Sequence, residues 1–141
     1  MKLQNLISPK TGHRIALYLR TASEDQRDSQ NFLEAQEKNL RNLIRSRNRR
    51  EHFGKIVKRC ADSACSGMDH DRSGLKALLK AVKRKEIDVV LVSEVARLSR
   101  SMKHLVEIMT TMAVNQCRLE TCIGHIPLGT VVDLYQGRGR K

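Results

Sequence analysis

Four short apolar runs are separated along the chain by longer segments in which apolar residues recur at helical spacing. The runs are rich in Ile, Leu and Val and have the length of strands, which are predicted over 13–19, 55–60, 87–92 and 117–123. The run at 87–92 (IDVVLV) is rich in β-branched residues and too continuous to have a solvent-exposed face, so it should lie centrally in a sheet that is covered on both faces.

The segments between these runs predict three amphipathic helices. Apolar side chains recur every three or four residues over 31–47, over the segment that follows Gly74, and over 98–113. Ser73 is a suitable N-cap residue for the second helix. The methionines of the third helix are most simply explained as core side chains.

Strands and helices that alternate in this order are typical of an α/β fold. We expect an open, mainly parallel sheet of four to five strands with helices on both faces. The chain contains no GxGxxG or P-loop segment, which argues against a nucleotide-binding Rossmann domain. One domain is expected over 13–123, with an extension at 1–12 and an irregular basic tail at 124–141.

The charge balance favours a nucleic acid partner. Lys and Arg number 27 against 15 Asp and Glu, so the formal net charge is +12, which suits the regularly spaced phosphates of DNA. Only 3% of the residues are aromatic, and few rings are therefore present to stack on single-stranded bases, which favours a duplex. The N-terminal residues lack the apolar core of a signal peptide or membrane span, and we expect a cytoplasmic protein with no membrane partner.

Four cysteines form two pairs with an offset of five residues, namely Cys60 with Cys65 and Cys117 with Cys122. Structural zinc sites usually have more closely spaced cysteines, and residues five apart in a strand point to opposite faces. Reduced, mostly buried thiols are therefore favoured over a metal site.

Polar and basic residues follow the predicted strands. In open α/β sheets the carboxyl ends of the strands carry the functional site, so these residues should meet in space. The residues are Arg20, Ser23 and Gln26 after the first strand, Ser66 and Arg72 after the second, and Glu94, Arg97, Ser99 and Arg100 after the third. Several guanidiniums beside a helix N-terminus are suited to hold a phosphate.

Two of these features have a second interpretation. Arg97 and Arg100 could instead form ion pairs with the nearby carboxylates of Glu94 and Asp88. The basic segment at 45–52 either faces phosphate at a helix end or is a solvated turn.

Four blocks of the sequence resemble, in order, those of the catalytic domains of resolvase/invertase-type serine recombinases. They read YLRTASEDQ, FLEAQ, CSGMDHDRSGL and IDVVLVSEVARLSR, and the resemblance covers about residues 13–123. The family blocks run Tyr-x-Arg-x-Ser near the first strand, Ser-Gly with an Arg six residues after the Ser, and Asp-Arg-Leu-x-Arg after a strand rich in Val.

The resemblance implies that a serine hydroxyl attacks a DNA phosphodiester, forms a 5′-phosphoserine link and frees a 3′-hydroxyl without a metal or any other cofactor. Fixed guanidiniums would stabilise the negative charge of the pentavalent transition state. By resemblance the catalytic positions are Arg20, Ser66, Arg72, Arg97 and Arg100. The positions that would contact DNA phosphate are the same four arginines with Gln26 and Gln36.

Two positions depart from the family pattern. The place of the nucleophilic serine, two residues after Arg20, is Ala22, and the acidic place before Arg97 is Ala96. Alanine carries no hydroxyl and no carboxyl group, so the chain is expected to be catalytically inactive. Ser23 and Glu94 are the nearest substitutes, but in-line phosphoryl transfer tolerates little displacement of the reacting groups. An engineered inactive enzyme and a natural pseudoenzyme both explain the alanines, and the atypical Thr21 and Val95 favour the natural one.

Family members continue from the last strand into a long dimerisation helix and a DNA-binding domain, which residues 124–141 do not resemble. The chain is expected to be either a truncated domain or a stand-alone protein. Three functions are open: a recombinase catalytic domain that binds DNA, a non-catalytic module that binds DNA or partners, and a basic domain that binds a small anion. The partners expected are DNA and either further copies of the chain or an active recombinase in a hetero-oligomer.

Overall fold

The computed structural model of the protein describes residues 12–21, 26–63 and 72–128. A five-stranded sheet forms its centre, with the strand order β2-β1-β3-β4-β5. The first four strands are parallel and β5 is antiparallel to β4. The strands are β1 (His13–Thr21), β2 (Gly54–Ser63), β3 (Val89–Leu91), β4 (Arg118–Thr121) and β5 (Gly124–Ile126).

Three helices cover the two faces of this sheet, as the sequence predicts. They are α1 (Gln26–Asn48), α2 (Ser73–Lys83) and α3 (Met102–Val114), and a 3-10 turn at Val95–Arg97 precedes α3. One apolar cluster joins α1 to Ile15, Leu17 and Leu19, and a second joins α2 and α3 to Ala16 and Tyr18. Successive side chains of β1 therefore point to opposite cores, which is why residues 15–19 of this strand are apolar without interruption.

The predicted helix boundaries differ from the observed ones at two places. α1 begins at Gln26, five residues before the predicted start, and its first turn contains the buried Ser29, whose Oγ lies 2.5 Å from Oγ of Ser63 at the end of β2. α3 begins at Met102, where Ser101 caps it by accepting a hydrogen bond from the backbone N–H of His104. Leu98 is fully buried but lies in the connection before α3.

The N-cap expected at Ser73 is wrong, because Ser73 is the first residue of α2 and the N-cap residue Arg72 makes no capping hydrogen bond with its side chain. Asp62, at the end of β2, supplies the cap. Its Oδ1 and Oδ2 accept hydrogen bonds from the backbone N–H groups of Gly74 (2.7 Å) and Leu75 (2.9 Å). A carboxylate at this place also compensates the positive end of the helix dipole.

Regular structure continues beyond Ile123, where the sequence predicts none. Residues 124–126 turn back as β5 and pair with β4, and Leu128 is buried in the core of α2 and α3. The extension at 1–12, except for Gly12, and the tail at 129–141 lie outside the described residues. No helix among the described residues is long and apolar enough to cross a membrane.

A buried carboxylate joins the C-terminal end of α1 to β4. Glu120 is 1% exposed and accepts hydrogen bonds from the guanidiniums of Arg47 and Arg118. The Arg47 guanidinium also lies over the ring of Phe53, 3.7 Å from its centroid. Within the basic segment at 45–52, Arg47 therefore binds buried side chains, whereas Arg45, Arg49 and Arg50 are exposed.

Candidate functional site

The four arginines predicted at the strand ends are brought together at one edge of the sheet. Arg20 lies near the end of β1, Arg72 directly precedes α2, Arg97 ends the 3-10 turn and Arg100 lies before α3. Two adjoining pockets share Arg20 and Arg100. The smaller, of about 120 Å³, is completed by Glu94, Ala96 and Arg97. The larger, of about 380 Å³, is completed by Arg72, Ser99, Leu75, Lys76, Leu79 and His104.

Uncharged oxygen atoms hold two of these guanidiniums in place. Nη2 of Arg72 donates to the Tyr18 hydroxyl (2.8 Å) and to the Arg97 carbonyl oxygen (3.1 Å). Nη1 of Arg97 donates to the Arg20 carbonyl oxygen at 3.1 Å. Because these acceptors carry no formal charge, they orient the arginines without themselves compensating the positive charge.

Tyr18 and Asp62 hold Arg72 in position through a chain of two hydrogen bonds. The buried Tyr18 hydroxyl donates to Oδ2 of Asp62 at 2.5 Å and accepts from Arg72. Burial, and then the hydrogen bond to Asp62, raise the pKa of Tyr18 well above its usual range, so the phenol keeps its proton. Sequence reasoning assigned no role to Tyr18 or Asp62. The signal for Asp62 is its place as an acidic residue where the second strand ends.

The electrostatics of the site are those of clustered cations. Burial is the largest cause that lowers the pKa of Arg20, and the positive charges of Arg72 and Arg100 lower it further. Among the described residues, the Arg20 and Arg100 side chains have no ion-pair partner. This arrangement can lower the energy of an anion placed between the guanidiniums.

Of the two carboxylates expected as partners, Glu94 pairs with Arg97 and Asp88 does not reach the cluster. Asp88 directly precedes β3, at the amino-terminal ends of the parallel strands and away from the arginines. Its carboxylate accepts three hydrogen bonds of 2.8 to 3.0 Å from Arg14, so the expected pairing with Arg97 or Arg100 is wrong. Glu94 approaches Arg97, with Oε2 at 3.5 Å from Nη2, but its side chain is 59% exposed. Such an exposed pair is weak.

Gln36 contacts the backbone of Arg20. Its Oε1 accepts from the Arg20 N–H (3.3 Å) and its Nε2 donates to the Arg20 carbonyl oxygen (2.7 Å). Both polar atoms of the Gln36 side chain are therefore engaged by the Arg20 backbone, and the phosphate contact expected for Gln36 stays a prediction. Gln26 is the first residue of α1, and its side chain is not among those described. Ser99 stabilises the backbone of the segment before α3, because its Oγ accepts a hydrogen bond from the Ser101 N–H at 3.0 Å.

The structure describes residue 96, the position of the family's acid, but not residue 22, the position of its nucleophile. Ala96 lines the smaller pocket beside Arg20, Arg97 and Arg100. A carboxyl group at residue 96 would therefore lie near the cations. Ala22, Ser23 and Ser66 lie outside the described residues.

The cysteines do not form a metal site within the described part of the chain. Cys60 and Cys117 are buried free thiols, Cys122 is an exposed one, and Cys65 lies outside the described residues. Burial raises the pKa of the Cys117 thiol to about 12, which keeps it protonated. Residues 12–21, 26–63 and 72–128 contain no group of three or more His, Cys, Asp or Glu side chains that could hold a metal ion.

Comparison with known families agrees with the sequence blocks. The model described as "Resolvase, N terminal domain" matches residues 15–131. The chain belongs to this family. The resolvase N-terminal domain is a serine recombinase catalytic domain, so the suspected resemblance is confirmed at the level of the family. Among curated protein sequences, none matches the chain significantly.

Solved structures support the same assignment. The C-terminal catalytic domain of ISC1926 TnpA, an IS607-like serine recombinase, is 27% identical, with a TM-score of 0.63 over 89% of this chain and 78% of that one. The N-terminal catalytic domain of TP901-1 integrase is 19% identical, with a TM-score of 0.70 over 90% of this chain and 96% of that one. A resolvase family site-specific recombinase from Streptococcus pneumoniae is 18% identical, with a TM-score of 0.68 over 90% of each chain. The last two similarities support the fold, and the open α/β sheet expected from the sequence is confirmed.

Proposed function

We propose that this resolvase-family domain binds the phosphodiester backbone of DNA at Arg20, Arg72, Arg97 and Arg100 and does not itself form a phosphoserine link. The observation that carries the proposal is the convergence of the four arginines on two adjoining pockets, with Arg72 and Arg97 held by uncharged acceptors. A phosphodiester supplies the negative charge that this cluster lacks, and the basic chain attracts the surrounding duplex.

The role of each described arginine follows from its surroundings. Arg20 and Arg100 line both pockets, so they would contact the non-bridging oxygens of the bound phosphate. Arg72 would approach the phosphate from α2 and Arg97 from the 3-10 turn. Tyr18 and Gln36 act as positioning residues, because they contact the Arg72 side chain and the Arg20 backbone, and Asp62 acts through the Tyr18 hydroxyl that it binds.

The missing strand-exchange chemistry follows from the two alanines. Without a hydroxyl at residue 22 there is no group at the family position to attack phosphorus, and without a carboxyl at residue 96 there is none to assist proton transfer. Glu94 faces the same pocket as Ala96, but it is exposed and directed to Arg97. We propose a cytoplasmic pseudo-recombinase, which could act with further copies of itself or with an active recombinase.

The binding half of this proposal is tested by measuring the affinity for a 20-base-pair random-sequence duplex between 50 and 300 mM salt. We expect the affinity to fall steeply with salt, by about 0.9 in the log–log slope for each phosphate neutralised. Arg72→Gln and Arg100→Gln should weaken binding about tenfold or more, whereas Lys38→Gln on α1 should have little effect. Absence of binding at 50 mM salt, or equal binding by all variants, would contradict the proposal.

The catalytic half is tested by a search for a covalent adduct. The chain is incubated with a pool of random duplexes, digested with nuclease and examined by mass spectrometry for a nucleotide attached to serine. We expect no adduct. An adduct on Ser23 would show that the neighbouring hydroxyl replaces the family nucleophile, and the proposed inactivity would then be wrong.

A further inference from the structure

The larger pocket extends away from the arginines between α2 and α3. Arg20, Arg72 and Arg100 form its charged end, while Leu75, Lys76 and Leu79 belong to α2 and His104 to α3. Leu75 is buried and Leu79 is partly buried, so these two provide an apolar wall beside the cations. Lys76 is thus the lysine of α2 that lines the same pocket as the arginines.

Two further lysines continue from Lys76 along the same face of α2. Lys76, Lys80 and Lys83 are exposed and are spaced by four and three residues, which places them in one row on a helix. The opposite face of α2 is held on the sheet by Leu75, Leu78, Ala81 and Val82. α2 contains no acidic residue, and its three lysines form no ion pair within the described part of the chain.

The length of this row suits a nucleic acid strand. Lys76 and Lys83 are separated by about 10 Å along the helix axis, at the usual rise of an α-helix. One strand of B-form DNA carries about three phosphates over that distance. Three lysine ammonium groups could therefore each approach one phosphate.

The surface on the other side of the arginine site differs in charge. The described residues that line a groove there are Thr21, Phe32, Ala35, Gln36, Asn39, Ser93, Arg97 and Cys122, and Arg97 is the one cation among them. Further along α1, Arg41 is paired with Glu37 at 2.8 Å, and Arg59 of β2 with the same carboxylate at 2.6 Å. A DNA backbone that crossed α1 would meet the carboxylates of Glu34 and Glu37 and the exposed Phe32 beside the cations Lys38 and Arg45, whereas α2 carries no acidic residue.

We propose that duplex DNA held at the arginine site continues along α2, where Lys76, Lys80 and Lys83 contact successive phosphates of one strand, and does not cross α1. This inference rests on the proposed function, since it takes DNA as the ligand of the arginines. Lys76 is the junction between the two contacts. The row positions the duplex and reads no base sequence, because its partners are phosphates.

The test compares two triple variants that lose the same charge. Lys76, Lys80 and Lys83 are replaced by Gln in one variant, and Lys38, Arg45 and Arg49 of α1 and the residues just after it are replaced by Gln in the other. Binding of a 20-base-pair random duplex is measured against salt for the parent chain, both triple variants and Arg72→Gln. All six exchanged side chains are exposed, so circular dichroism melting should show that both variants remain folded.

We expect the α2 variant to lose about two to three units of the log–log salt slope, at about 0.9 for each lost phosphate contact, and the α1 variant to lose less than about one unit. An equal loss in both variants would mean that only the net charge matters, and a larger loss in the α1 variant would place the duplex on α1. Either result overturns the α2 path while DNA binding stands. If the parent chain binds no duplex, both the path and the proposed function are wrong.

Discussion

Nη1 of Arg97 donates a hydrogen bond of 3.1 Å to the backbone carbonyl oxygen of Arg20, 77 residues away in the sequence. The same carbonyl accepts a second hydrogen bond of 2.7 Å from Nε2 of Gln36. The end of β1 is thereby held from both sides, by the 3-10 turn after β3 and by α1. Because the acceptor is a carbonyl group, Arg97 is oriented without losing its charge.

Replacement of Gln36 by Leu tests this contact. The variant loses both side-chain hydrogen bonds to the Arg20 backbone, and we expect the free energy of unfolding to fall by about 1–3 kcal/mol. The affinity for duplex DNA should fall as well, because Arg20 is no longer fixed. Gln30→Leu is the matched control, since Gln30 is an exposed residue of α1 whose side chain, within the described residues, bonds Glu34 alone, and it should change stability by less than about 0.5 kcal/mol. Equal results for the two variants in urea unfolding and duplex binding would contradict the positioning role.

Gly74 is predicted to be intolerant of a side chain although it lies in a helix. A Cβ atom there would lie 2.6 Å from the Ala61 carbonyl oxygen and 2.9 Å from Oδ1 of Asp62, the atom that caps α2. Gly74→Ala should therefore lower the free energy of unfolding by about 1–3 kcal/mol, whereas helix propensity alone would raise it by up to about 1 kcal/mol. Ala77→Gly on the exposed face of α2 provides the reference for propensity, with an expected loss of about 1 kcal/mol. A Gly74→Ala chain more stable than the parent in thermal or urea unfolding would refute the close contact.

Glu120 should be the carboxylate whose loss is most damaging on the α1 face. It is 1% exposed and holds Arg47 and Arg118, so Glu120→Gln removes the ion-pair partner of Arg118 and leaves Arg47 with the exposed Glu51. We expect a loss of about 3 kcal/mol in the free energy of unfolding. Glu51→Gln removes the exposed partner of the same Arg47 and should cost less than about 1 kcal/mol. Urea unfolding of both variants measures the difference, and similar values would show that burial of Glu120 has no energetic weight.

The pair Arg14–Asp88 predicts a small loss of stability in acid. The hydrogen bond from Arg14 is the largest cause that lowers the pKa of Asp88, so its folded pKa lies below the unfolded value of about 3.9. The stabilisation is therefore present above about pH 4 and disappears as the pH falls through the folded pKa. Both side chains are more than a third exposed, which limits the contribution at pH 7 to about 1 kcal/mol or less.

Asp88→Asn tests the sign of this contribution. The parent chain should be more stable than the variant at pH 7, and the difference should shrink between pH 4 and pH 2.5. Glu107→Gln, an exposed change on α3, should give a profile parallel to that of the parent. If the parent and Asp88→Asn profiles run parallel over the whole range, Asp88 does not contribute in this way.

The amino-acid sequence by itself determined the order of strands and helices, because apolar periodicity is a local property. It also placed Arg20, Arg72, Arg97 and Arg100 at one edge, since the carboxyl ends of parallel strands meet there. Its blocks identified the family, and its alanines at residues 22 and 96 are visible without any structure. The strand β5 was not predicted, because it has three residues and begins with glycine, so its apolar residues show no measurable periodicity.

Only the tertiary structure decided what holds the arginines. Asp62 caps α2 from a strand and binds Tyr18 across 44 residues, and Gln36 hydrogen-bonds the backbone of Arg20. The pairing of Asp88 with Arg14, and not with Arg97 or Arg100, likewise depends on which edge of the sheet each residue reaches. The physical reason is that side-chain hydrogen bonds between distant segments depend on strand register and helix packing, which local patterns of residue type do not encode.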